Sequence, residues 1–256
     1  MIIYVDTQEK LKVPELNRFI RDNFSLPCEI KKHFPFPRLK LKFLAQEFAR
    51  LRIKDAIHPP DDYPPLPLEI KNEEGFLKSG KVNRSLVYEG IKLSALFAPF
   101  IPRKSALSVN IILTDRLLCT FADDGRLHLR SIICGYPTLI SIPGIVEAPA
   151  KPREFYAFKS RLMALGLWEQ EGEKVRARFK NRFIDYGDPS FTEVIKGLLA
   201  QAIFFHMTRE PFCPRQDCRL YNSHWQEELI YSQVKQGKFC PRHKAMLRKI
   251  RGGAYQ

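Results

Sequence analysis

The chain has 256 residues, 45% hydrophobic and 27% charged, which supports a packed core and excludes disorder over most of its length. Its longest stretch without a charged residue, 131–146, contains Gly135, Pro137, Pro143 and Gly144 and is too short to span a bilayer. The first residues lack the basic region and cleavage site of a secretory signal, so a cytoplasmic protein is expected; the net charge of +14 suits an acidic partner such as nucleic acid without specifying one.

Residues 2–5 read as a short buried strand. A helix follows over 14–24, with Leu16, Phe19 and Ile20 at helical spacing and Pro14 in its first turn. Residues 28–33 return as a second strand. Leu41, Leu44, Ala45, Phe48 and Leu51 then form the apolar stripe of a basic amphipathic helix. Five prolines between Pro59 and Pro67 mark an extended connection, and residues 86–97 are expected to be helical.

Residues 108–113 make the best central strand. Further strands are expected at 119–121, 127–134 and 138–142, separated by the Asp123-Asp124-Gly125 turn and by Gly135-Tyr136-Pro137. The run 144–154 reads as a Pro-punctuated loop beside a cleft, and 155–165 as a helix. Lys174, Arg176, Arg178, Lys180 and Arg182 alternate with Val175, Ala177, Phe179, Asn181 and Phe183, which predicts a strand with one basic face. Such a face is either a charge-protected sheet edge or a nucleic-acid contact surface. Ser190-x-x-Glu193 reads as a capping box opening a helix over 190–206, with Ile195, Leu198, Leu199, Ala202, Ile203 and His206 along one side. Strands alternating with helices predict an α/β (α+β) fold, with a mixed sheet, packed helices and a metal-rich C-terminal lobe.

The clearest chemistry lies after that helix. Cys213-Pro-Arg-Gln-Asp-Cys218 offers two thiols, and Cys240-Pro-Arg-His243 offers a third with an imidazole. Two close ligand pairs joined by a longer loop suit one tetrahedral zinc ion; four protein ligands leave no position for water, so the ion would be structural. Because such ligands have no preformed site without metal, its removal should unfold the tail after Met207. Cys28, Cys119 and Cys134 lie in apolar surroundings and read as core residues.

These residues carry a family resemblance. The segment from Ala202 to Cys218 resembles the end of an archaemetzincin-type zincin, whose His-Glu-x-x-His-x-x-Gly-x-x-His motif is followed directly by Cys-x4-Cys and later by another close Cys pair. Cys213 and Cys218 match the first pair, and Cys240 with His243 resembles the second. In that register His206 falls on the second catalytic histidine. Ala202, Ile203, Arg209 and Phe212 replace the first histidine, the general-base glutamate, the glycine and the third histidine, and Leu220 stands at the methionine after the second Cys. The Thr114-Asp115 pair beside a strand and the run 136–146 also resemble the family's central strands. The resemblance covers roughly residues 108–250 and implies a zincin-like fold; with the ligand spacing and the basic tail it gives an expected division into a zincin-like core over 1–206 and a zinc lobe with a basic tail over 207–256. It also implies a branch without the catalytic motif, since one histidine cannot hold a catalytic zinc and Ile203 cannot act as a base.

Three functions follow as expectations. The first is a proteolytically inactive zinc protein that binds or scaffolds a protein or peptide. The second is a metallohydrolase with a rearranged zinc site, using His206 with His224 or with Asp185, Asp188 or Glu210. The third is a nucleic-acid-binding protein using residues 174–182 and the tail. After Glu228 there is no acidic residue, while Lys235, Lys238, Arg242, Lys244, Arg248, Lys249 and Arg251 supply half of the net charge.

Overall fold

A computed structural model describes residues 1–55, 64–101 and 108–253. Most of the proline-rich connection therefore lies outside the described residues. Strand β1 (Ile2–Asp6) leads into helix α1 (Val13–Phe24), then β2 (Glu29–Lys32), α2 (Leu41–Arg50) and α3 (Pro67–Ser79). Strand β3 (Val87–Glu89) and α4 (Gly90–Phe97) follow, then β4 (Asn110–Thr114), β5 (Leu117–Phe121), β6 (Leu127–Arg130), β7 (Ile132–Ile133) and β8 (Thr138–Ser141). The chain continues through α5 (Ile142–Glu147), α6 (Arg153–Ala164), α7 (Trp168–Arg178), α8 (Phe191–Thr208), α9 (Gln226–Leu229), a π-helical turn (Ile230–Gln236) and α10 (Pro241–Arg251).

The main sheet has the order β2-β1-β4-β8-β7; the first four strands are parallel and β7 is antiparallel. A smaller sheet, β3-β5-β6, packs beside it. The fold is α+β, a mixed sheet with packed helices. Alternation along the strands sorts the core into two layers. Ile3, Ile111, Leu113 and Ile140 face α1, α8 and α10, whereas Tyr4, Ile112 and Leu139 face α2, α4 and the small sheet. The C-terminal lobe belongs to the first layer: Leu220, Leu229, Phe239, Leu247 and Ile250 share one apolar cluster with Ile3, Leu16 and Leu199.

Several elements differ from expectation. Residues 174–182 are not a strand. They form the end of α7 and the turn after it, because Gly172, Val175, Phe179 and Phe183 bury at spacings of three and four, while Ala177 and Asn181 stay exposed. A helix read at every second residue imitated a strand. The five cations do not form one face either. Lys174 pairs with Glu171 at 2.8 Å, Arg176 with Asp185 at 2.8 Å and Arg182 with Glu227 at 2.8 Å, while Arg178 lies over the Phe158 ring.

Residues 86–97 divide into β3 and α4, with the Glu89 carboxylate accepting from the N–H groups of Ile91 and Lys92. Residues 127–134 divide at Ser131 between the two sheets. The 144–154 loop begins as α5, where the Ser141 hydroxyl accepts from the Gly144 N–H. Ser190 does not close a capping box. Its own N–H donates to Asp188, and Glu193 turns to Lys196 and Arg219.

Candidate metal centre

Two backbone knuckles build the centre. In the first, the Cys213 N–H donates to the Leu220 carbonyl at 2.8 Å and the Cys218 N–H to the Arg215 carbonyl at 3.1 Å, so the chain reverses between the two thiols. In the second, Cys240 is the N-cap of α10, Pro241 occupies its first turn and His243 follows one turn on. Arg219 ties the knuckles together. Its N–H donates to the Lys238 carbonyl at 2.7 Å, and its buried guanidinium reaches the Gly237 carbonyl and the carbonyl and carboxylate of Glu193 on α8.

The four ligand atoms lie within 4.8 Å of one another, and all four residues are buried. The Cys213 and Cys240 sulfurs are 4.0 Å apart, and His243 Nδ1 stands 3.6 Å from Cys218 Sγ and 3.1 Å from Cys240 Sγ. With Zn–S bonds of about 2.3 Å, a tetrahedron has edges of about 3.8 Å, which these separations bracket. The cysteines are free thiols. His243 presents Nδ1 to the sulfurs, while its buried Nε2 has no hydrogen-bond partner among the described residues and its ring meets Phe204 edge-on.

Burial pushes the Cys218 thiol up to about 12. Burial also opposes ionisation of Cys240, but the N–H of His243 and the neighbouring thiols outweigh it, so its pKa falls below the ordinary cysteine value. The start of α10 favours a thiolate there. Burial, then the Arg242 charge, lowers the pKa of His243, keeping the imidazole neutral as a ligand must be. Three thiols and one neutral imidazole in this arrangement fit one zinc ion.

The residues in catalytic register are arranged differently. Ala202 and Ile203 are wholly buried in the core of the first layer. His206, in the last turn of α8, has Nε2 3.1 Å from Thr138 Oγ1, whose hydroxyl donates to the Gly135 carbonyl. One arrangement satisfies all three groups: neutral His206 carries its proton on Nε2 and donates to Thr138. Burial, assisted by Arg209, pulls the His206 pKa down to about 4. Phe212 is 39% exposed.

His224 is exposed and sits in a groove with His128, Glu147 and Phe212, whereas His206 lines a separate pocket with Val109, Gly135 and Tyr136. Asp185 pairs with Arg176, Asp188 accepts from the Ser190 N–H, and Glu210 pairs with Arg242. Among the described residues, the Cys3His cluster is the one group of three or more such ligands that converges. The bracing role of Arg219 was not read from sequence. Its position directly after Cys218 was the available signal, but nothing in the spacing reveals that its guanidinium folds back under α8.

The site and fold define an α+β protein whose C-terminal lobe is organised by a zinc-binding Cys3His centre. Over residues 1–250 the chain matches the family described as "Probable metallopeptidase family (DUF6775)", and it belongs to that family. No curated protein matches it. Among solved structures, it is similar to a zinc-dependent peptidase from Methanocorpusculum labreanum (strain Z), at 12% identity and a TM-score of 0.43, covering 96% of this chain and 98% of that one. No described helix is long and apolar enough to cross a membrane.

Proposed function

We propose that this protein is an archaemetzincin-like member of its family that has lost cleavage chemistry, keeps one structural zinc, and binds or scaffolds a protein or peptide partner in the cytoplasm. The carrying observation is the saturation of the convergent ligand cluster. Three sulfurs and one nitrogen fill a tetrahedron and leave no position at which a water could be activated. The register of the resemblance draws support from Arg209, the C-cap of α8. It has φ +63°, a conformation that favours the glycine the family motif carries there. In that register the motif's first two positions are the aliphatic Ala202 and Ile203, and His206 is engaged by Thr138.

Metal analysis together with peptide hydrolysis tests this reading. The expected result is one zinc per chain, no cleavage of a mixed peptide library, and a zinc content unchanged by His206→Ala. A second tightly bound equivalent, lost in His206→Ala together with cleavage, would establish instead the rearranged hydrolase that the family's description favours.

A nucleic-acid reading keeps one supporting observation. Lys238, Lys244, Arg248 and Arg251 line a groove of about 490 Å³ on the zinc lobe. It predicts oligonucleotide binding that weakens steeply with salt, and a smaller salt slope in Lys244→Gln/Arg248→Gln. Absence of binding at low salt sinks it.

A further inference from the structure

The carboxyl ends of β2, β1 and β4 lie side by side, and their chains leave in opposite directions. From β1 the chain passes to α1 on one face of the sheet; from β4 it passes to β5, on the other. Where neighbouring parallel strands diverge in this way, a crevice opens beyond their carboxyl ends, and ligands bind in such crevices. Here it is a cavity of about 160 Å³, and none of its lining residues belongs to the Cys3His centre.

Each of the three strand ends contributes a polar group to the cavity. Arg116, just after β4, is 4% exposed, and its guanidinium lies between the rings of Phe48 and Tyr88, at 4.1 and 4.7 Å. Its Nη1 donates to Glu73 at 2.9 Å, and the same carboxylate accepts from Arg52 Nε at 2.7 Å and the Tyr88 hydroxyl at 2.6 Å. Two buried guanidiniums therefore share one carboxylate, leaving one positive charge over. Asp6, the last residue of β1, also lines the cavity and supplies the balancing carboxylate. Its Oδ1 is 3.4 Å from Nδ1 of His33, which follows β2 with φ +61°, an uncommon conformation for a residue with a side chain. Phe34, Phe36 and Phe76 add an apolar wall.

We infer that this cavity binds a small zwitterion with an apolar side chain, an α-amino acid, its carboxylate toward Arg116, its ammonium toward Asp6 and its side chain against the phenylalanines. A simple anion would face Asp6 and a simple cation would face Arg116. A ligand with one group of each sign meets both: Arg52, Arg116, Glu73 and Asp6 together sum to zero, and Lys78, which also lines the cavity, is paired with Glu74. The volume is that of a cavity holding benzene, about 150 Å³, which suits a side chain such as leucine's and not a folded peptide.

Titration calorimetry and thermal melting of the zinc-loaded full chain with L-leucine test the inference, against N-acetyl-L-leucine, which lacks the ammonium, and L-leucinamide, which lacks the carboxylate. Leucine should bind with a Kd of about 1 mM or tighter, and each analogue at least about tenfold more weakly. Asp6→Asn should weaken leucine binding by a similar factor without changing zinc content. The analogue series gives the answer on the unaltered protein even if that variant folds poorly. No binding of leucine at about 10 mM, equal binding of N-acetyl-leucine, or an undiminished affinity in well-folded Asp6→Asn overturns it. Zinc stoichiometry measured on the same samples reads the metal centre separately, so either conclusion can fail alone.

Discussion

Replacing Cys218 by serine removes one thiolate from a centre whose four ligand residues are all buried. Structural zinc sites of this type contribute about 10–16 kcal/mol of apparent binding free energy, so an even division over four ligands gives about 3 kcal/mol each. Cys218 is wholly buried, which leaves no ready path for water to replace the lost sulfur. Whole domains are stable by only about 5–15 kcal/mol. Loss of one ligand should therefore lower the melting temperature by roughly 10 °C in a chain of this size, and complete chelation should unfold residues 209–251. Differential scanning calorimetry would follow the first effect. Amide hydrogen exchange before and after chelation would follow the second, with protection expected to vanish in α10 and the two knuckles first. An unchanged melting temperature and unchanged protection in α10, after zinc loss has been verified by metal analysis, would refute the structural role.

Further outcomes follow from packing and charge. His206 titrates near 4 in the fold and near 6.5 when unfolded, so the stability due to its neutral form is present above pH 6.5 and falls as the pH drops toward 4. At pH 5 the loss relative to pH 7.5 should be about 2 kcal/mol larger in the wild type than in His206→Gln, measured by urea denaturation; equal losses would contradict its burial as a neutral imidazole. Glu73→Ala leaves Arg52 and Arg116 buried without their shared carboxylate, and chemical denaturation should show a loss of about 3–5 kcal/mol. A Cβ on Gly144 would stand 2.2 Å from the Arg130 carbonyl oxygen, so Gly144→Ala should destabilise by about 2–3 kcal/mol in the same assay.

The sequence made β1, β4 and β8 legible because they are short apolar runs bounded by turn residues, and residues 110–114 do lie at the centre of the main sheet. It made the metal centre legible because ligand chemistry depends on residue type and spacing, both of which a sequence displays. It misled at 174–182, where Val175, Phe179 and Phe183 are separated by four, a spacing compatible with both helix and strand. Helix α3 was not anticipated. Its weak apolar pattern hides that it is anchored by the buried Glu73 and its two arginine partners, contacts that only the tertiary fold brings together. The crevice beyond β1 and β4 was invisible for the same reason: Asp6, His33 and Arg116 are far apart in the chain.

The placement of the metal ligands inside the first core layer, rather than on a detachable flap, gives the centre a use as a gauge. Phe204 of α8 meets His243, Phe239 beside Cys240 stacks with Phe19, and Phe24 touches both Phe204 and Phe239. With cobalt(II) in place of zinc, the visible colour of the thiolate-bound ion would fade in step with the collapse of packing between the first helix and the last, so an ordinary absorbance trace would track the integrity of that whole half of the molecule.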